Sequence, residues 1–394
     1  MEIRRLRPEE RYEANLISAL AFHMRIDNPE KARQAQEEAM KDPSENWGAF
    51  TKDGKVIARI INHRFHVYLD GQVIPSGGIG AVSTLPEYRD TGAVRAIFEQ
   101  LIPEAARNGE IISTLYPFNH AFYRKFGYET VRWRNNYEFP PAVLRGYRFS
   151  GTVEMWHTGD PVSEYTQLYN RFAAGFNLAL HRTDERMLEE HLKSEWLKDR
   201  KFGYLLREKD IPVAYVIFQD IRHDPAAILS VEDIAWDGTA GMNAILGFLG
   251  RFSADYGTIR MFLPCAVELL SFLQSPLAYD VSQTAAQDYM IRVINAQRLL
   301  EIIRKPMDVS FVIRVEGDPL IAANNGTWAV QHGRVTDTEK SPDLTVSIQA
   351  LGQLCAGSVS LSEALYRPDV IVSNNEAILR RVFVRKPVLV EDHF

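Results

Sequence analysis

Cysteine is almost absent from this chain: Cys265 and Cys355 are the only two in 394 residues. So few, so far apart, exclude a disulfide framework and a cysteine-based metal motif, and they point to a reducing compartment. Long apolar runs are missing too, and no stretch approaches the ~20 residues that a membrane span needs. The opening Met1–Leu6 lacks the apolar run of a signal peptide. The expected location is therefore the cytoplasm, with neither membrane nor metal involved. An excess of positive charge is also lacking: 45 Lys and Arg stand against 51 Asp and Glu, a net charge of −6. That balance argues against a nucleic-acid binder and is compatible with a cationic substrate.

What is present is a soluble globular composition, 46% hydrophobic and 24% charged. The length exceeds one ordinary core, so two or three domains are expected. Ile3–Leu6 reads as a strand. Pro8, Glu9 and Glu10 then open a helix whose apolar residues Leu16, Ile17, Leu20 and Ala21 recur at helical spacing. Trp47–Phe50 and Val56–Ile61 flank an Asp53–Gly54 turn, the signature of a hairpin. Gly77–Thr84 reads as a strand rich in small residues. A helix over Ala93–Ala106, a strand over Ile111–Tyr116 and a short helix over His120–Phe126 follow. This is an α+β layout of mixed sheet and helices.

A second unit echoes the first. Lys201–Leu205, a charged turn at Glu208–Asp210 and Val213–Ile217 repeat the hairpin that begins at Asn46, and Leu229–Trp236 and Gly241–Phe252 continue as strand and helix. After Arg292 the texture changes again. Val309–Val315 and Asp343–Ile348 alternate with period two, Asn324–Trp328 is a turn feeding a strand, and Leu361–Leu365 belongs to a helix. About a hundred residues are enough for a third core.

The chemistry concentrates between Val82 and Val94. Arg89-Asp90-Thr91-Gly92 lies between a strand end and a helix start, where outward-facing amides and the positive end of a helix suit a pyrophosphate. Gly92 allows close backbone approach and Arg89 offers charge-assisted hydrogen bonds. Taken alone, R-x-x-G equally describes an ordinary strand–turn–helix with glycine at the bend. Its neighbours narrow the reading. The strand before it, the helix after it and the downstream Phe122-Tyr123-Arg124-Lys125-Phe126-Gly127-Tyr128 resemble the GNAT acetyltransferase superfamily, whose loop is Q/R-x-x-G-x-G/A. Val94 departs from that pattern at the last position.

Over its whole length the chain further resembles the Eis (enhanced intracellular survival) family. That resemblance implies a catalytic GNAT domain over 1–148, a degenerate second one over 149–291 and a sterol-carrier-like domain over 292–394. The second unit's Asp237–Gly241 stretch lacks the basic residue that precedes a cofactor loop. The resemblance implies acetyl-CoA as co-substrate and a small-molecule or peptide amine as acceptor, aminoglycosides and lysine side chains being examples. It also implies a homo-oligomer, a hexamer in the family. Backbone groups of Val82 and Thr84 would hold the cofactor, with Ser83, Arg89, Asp90, Thr91, Gly92, Ala93, Val94 and Asn119 completing the set. Tyr123 takes the place of the residue that protonates the leaving thiolate, whereas Tyr128 is read as core.

The base is the open position, because Gly77–Thr84 contains no acid. In the Eis family the terminal carboxylate fills it, which here is that of Phe394. His120 and His393 are alternatives. Asp27 and His393 are candidates for the substrate side, as are Glu30 and the tail acids Glu391 and Asp392, although most of these acids are expected simply to be solvated. A non-catalytic acyl-CoA or lipid-binding protein is the competing reading, and lipid binding is a further expectation for the third unit.

Overall fold

The computed structural model describes residues 1–24, 44–131, 134–194, 196–223, 226–273, 280–286 and 289–392. Asp27, Glu30, His393 and Phe394 lie outside them. Among the described residues there are two seven-stranded sheets and one five-stranded sheet.

The first sheet is entered by β1 (Glu2–Arg5), β2 (Glu45–Phe50), β3 (Val56–Leu69), β4 (Gln72–Thr84) and β5 (Ile112–Leu115). Side chains alternate across it, so that Ala49 packs toward helix α2 (Ala93–Arg107) and its neighbour Phe50 toward helix α1 (Arg11–Ala21). The buried stripe of α1 is rotated from the expected one: Ala14, Ile17, Ser18 and Ala19 are covered, and Leu20 is exposed. Small residues win this face because α1 lies close on the sheet, with Ser18 Oγ 3.1 Å from Ser83 Oγ. The β3–β4 hairpin is also longer than expected. Asp70 and Gly71 turn it at φ 51° and 82°, the two positive values of a type I′ turn.

Two strands trade places. The order of the first sheet is β1-β2-β3-β4-β5-β14-β6, where β6 is Glu129–Thr130 and β14 is Met290–Val293. The second is β8-β9-β10-β11-β12-β7-β13, with β7 being Arg134–Phe139. Its other strands are β8 (Thr152–Met155), β9 (Lys201–Glu208), β10 (Ile211–His223), β11 (Ala226–Trp236), β12 (Thr258–Pro264) and β13 (Ser282–Ala286). Each unit's final strand is thus inserted between the fifth and sixth strands of the other's sheet, and otherwise the two orders match position for position. The repeat seen in the sequence is a repeat of the fold. Residue 148 comes after a strand that lies in the second sheet, and Met290 pairs in the first, so both sheets are built across the sequence units.

The third sheet, with β15 (Ser310–Glu316) at its centre, packs on helix Ile348–Ala356. Its core is continuous with the far end of the β3–β4 hairpin through Val67, Leu69 and Ile74, and with Val388 and Val390 of the tail. The tail run Pro387–Val390 makes a single bridge, Val388 to Asn177, rather than a strand.

Candidate active site

The site begins where β4 parts from β5. Parallel pairing runs from Ser76–Ile112 to Ile79–Leu115 and stops there. β4 continues to Thr84, still paired with β3 on its other side. The cause is a β-bulge: Ala81, at φ 51°, and Val82 stand together opposite Ile60. A bulge bends and twists its strand, and here it carries residues 80–84 away from β5. Among the described residues no strand pairs with that freed edge, so its backbone donors and acceptors are available to a ligand. The side chains are not. Ser83 is tied to Ser18 Oγ and to the Ala81 carbonyl, and Val82 packs on the core beneath α2.

After β4 the chain turns through Pro86–Tyr88 to an exposed loop and then into α2. Thr91 Oγ donates to the Tyr88 carbonyl at 2.7 Å, fixing the loop from within. Gly92, at φ 83°, caps α2, and a Cβ there would meet nothing within 4 Å. Backbone conformation, not crowding, calls for glycine here, and the open side leaves space for a phosphate. The first turn of α2 holds no acid but does hold exposed Arg95, whose guanidinium lies 5.7 Å from the Phe126 ring centroid. Arg95 is a second cation beside Arg89 that the sequence motif did not single out. Ala93 is buried and Val94 packs on the core, so both have only backbone N–H groups to offer. That is why valine is accommodated where the family pattern has a smaller residue. These features fit the pyrophosphate of an acyl-CoA.

Beyond β5, Asn119 caps helix α3 (His120–Arg124), its side-chain oxygen accepting the Phe122 N–H at 3.0 Å. Tyr123 on α3 is 2% exposed, with its ring among Phe98, Phe118, Phe122 and Tyr128. Burial raises its phenol well above the ordinary value, and Tyr128 adds to the effect. The phenol is therefore protonated at neutral pH, and the same burial makes it a weaker acid than a free tyrosine. Tyr128 is core, as expected, with its hydroxyl 2.8 Å from Ser113 Oγ.

The tail acids are the largest departure from expectation. Glu391 and Asp392 are not solvated but buried in an ionic cluster formed with the second unit. Arg182, 1% exposed, donates to both carboxylate oxygens of Asp392 at 3.2 Å and to Asp233 at 2.7 Å, with its plane over the Tyr169 ring. Arg186 and His191 each reach Asp392 Oδ1 at 3.1 Å, and Tyr215 donates to Asp233 at 2.8 Å. Burial alone would raise the Asp392 carboxyl, but Arg182, His191 and Arg186 outweigh it and hold the group far below the usual range. Glu391 goes the other way. Burial and Asp233 push it well above the usual range, and neither of its oxygens has a hydrogen-bond partner. Arg182 thus stands among three carboxyl groups, bonded to Asp233 and Asp392 and 3.7 Å from Glu391. From the first unit, Tyr116, one residue past β5, donates to the Asp392 carbonyl at 3.0 Å. The described chain therefore ends beside the opening between β4 and β5. Nothing in the sequence marked Arg182, His191 or Tyr116, because a buried arginine has the same letter as a solvated one.

One buried acid close to β4 is set apart from the opening. Glu110 packs against Gly77, where a Cβ would lie 2.3 Å from its Oε2, and it accepts from Asn62 at 2.8 Å. At Gly77 the strands are still paired, so Glu110 belongs to the closed end of the sheet. Burial pushes its carboxyl up to about 7. The folded state then holds a proton that the unfolded chain releases near 4.5. Stability should consequently fall as pH rises through that interval, by up to about 3 kcal/mol. Urea unfolding at pH 5 and pH 7.5 should show this loss in the parent and a smaller one in Glu110→Gln; equal slopes would refute it.

The second unit keeps the architecture without the loop. β11 and β12 part after Ser230–Arg260, but β11 passes into helix Gly238–Leu249 through the single residue Asp237. The first unit has residues 85–92 at the same place. No anion cradle fits in one residue, and the one present is an acid.

Comparison with known proteins agrees with this geometry. Residues 2–131 match the acetyltransferase (GNAT) domain family, and residues 296–389 match the sterol carrier protein domain family. The chain thus carries a GNAT acetyltransferase domain at residues 2–131 and a sterol carrier domain at residues 296–389, and the GNAT fold uses acyl-CoA. Its architecture is Eis-like from end to end. It superposes on Eis1 from Mycobacterium abscessus with a TM-score of 0.83 at 19% identity, covering 100% of both chains. A GCN5-related N-acetyltransferase from Anabaena variabilis gives a TM-score of 0.87 at 20% identity, again over 100% of both chains. A probable N-acyltransferase from Enterococcus faecalis gives 0.87 at 20%, over 100% of this chain and 99% of the other. No curated protein sequence matches the chain significantly. No helix among the described residues is long and apolar enough to cross a membrane.

Proposed function

We propose that the chain moves the acetyl group of acetyl-CoA directly to a primary amine on a cationic acceptor, of the aminoglycoside or lysine type. The observation that carries this reading is the parting of β4 from β5, with the Arg89–Gly92 loop following β4 and Tyr123 in the same core cluster as Ile79 and Leu115, the last β4–β5 pair. The loop amides and Arg89 hold the pyrophosphate. Backbone groups of Val82 and Thr84 hold the pantetheine arm and align the thioester for attack. Tyr123 gives its proton to the departing thiolate. The amine loses a proton to the terminal carboxylate of Phe394, two residues beyond the Asp392 anchor. A carboxyl with an ordinary value of about 3.5 is a weak base, and withdrawal from water raises it toward usefulness.

Thiol release from acetyl-CoA in the presence of a panel of aminoglycosides and alkylamines tests the reaction. Acetyl-CoA binding with no turnover on any amine would leave only the non-catalytic reading. Adding two glycines after Phe394 should lower kcat about a hundredfold, within the range of general-base effects, and leave acetyl-CoA affinity near normal. An unchanged kcat would remove the carboxylate from the mechanism.

A further inference from the structure

A cavity of about 560 Å³ lies where all three units meet, away from the opening between β4 and β5. The β3–β4 turn supplies Asp70 and Gly71, the second unit Ala174 and Asn177, and the third unit four cations: Arg304, Lys305, Arg381 and Lys386. Its volume is that of a small-molecule site. Charges within it are unequal. Asp70 Oδ2 is already used twice at 2.6 Å, by the backbone N–H of Arg304 and by Lys386 Nζ. Lys305 Nζ is held by the carbonyls of Leu300, Glu301 and Ile303 at 2.7–3.2 Å, at the end of helix Ala296–Ile302. Arg381 pairs with Asp308 at the surface. Arg304 is different. Its guanidinium donates only to the Asp70 carbonyl at 3.3 Å and has no carboxylate partner among the described residues. Between these cations the wall is apolar, formed by Val382, Val384, Pro306 and Pro387.

We propose that this cavity binds a small amphipathic anion, a phosphate group on an apolar body. Arg304 would take the phosphate through the paired N–H donors of its planar guanidinium, with Arg381, which pairs with Asp308, adding positive potential from the same lining. The apolar body would lie on the valine and proline wall. This site is independent of the acetyl-transfer reading, since none of its residues belongs to the opening between β4 and β5.

Octyl phosphate is the probe, followed by calorimetric titration of the full chain. Saturable one-to-one binding is expected, weakening as salt rises. Arg304→Ala with Arg381→Ala should weaken it at least tenfold. Octanol should give no saturable heat, and inorganic phosphate should bind more weakly than octyl phosphate. Both arginines are exposed, so the variant should fold, which thermal unfolding would verify; if it does not, Arg304→Gln alone should weaken binding severalfold. The proposal is overturned if octyl phosphate does not saturate, if octanol binds as well, or if the folded variants bind as tightly as the parent.

Discussion

Replacing Arg182 by methionine is expected to lower the free energy of unfolding by about 3–5 kcal/mol, the usual range for removing one partner from a buried ion pair. Methionine matches much of the side-chain volume, so the loss would come from charge and not from a cavity. Asp392 and Asp233 would be left buried without their shared cation, with Glu391 already among them. The second part of the prediction concerns activity. At temperatures where the variant is folded, kcat should fall by at least tenfold while acetyl-CoA affinity stays near normal, because the tail loses its anchor and the loop does not. Chemical unfolding together with steady-state kinetics reads both. A folded variant with parental kcat would show that the cluster only supports the fold.

Tyr123→Phe is expected to lower kcat by roughly 10²–10³, the scale of a lost general acid. Phenylalanine keeps the ring contacts with Phe98, Phe118 and Tyr128, so stability should change by less than about 1 kcal/mol. A leaving-group comparison separates this role from packing. An acetyl donor whose thiol is strongly acidic departs without needing a proton. The gap between parent and variant should therefore narrow sharply with such a donor. A gap of equal size for both donors would mean that Tyr123 shapes the site and does not protonate the thiolate.

These roles were unevenly legible in the sequence. The Trp47–Ile61 hairpin, the Arg89–Gly92 loop and the α3 segment could be read because each depends on neighbours within a few residues. The bulge at Ala81 could not, since alanine at positive φ carries no compositional mark. The exchange of β7 and β14 was hidden for a different reason. A short alternating strand looks the same whichever sheet receives it, and the repeat only showed that two sheets exist. The tail cluster was least visible of all. Arg182 and Asp392 meet across a wide stretch of chain, and only burial separates such a pair from solvated charges. That is why Glu391 and Asp392 were expected in water.

The strand exchange also governs how the protein can be made. β5 ends at Leu115, and the strand that closes its outer edge begins at Met290. On the ribosome the first unit emerges early but must wait, with one strand edge open, until nearly all of the second unit has been synthesised. Long-range pairing of this kind folds slowly and leaves intermediates prone to aggregation. No cut between β6 and β14 leaves the first sheet with all its strands. The second unit therefore leads the chain to the strand that completes the first sheet, a role that needs no cofactor loop of its own.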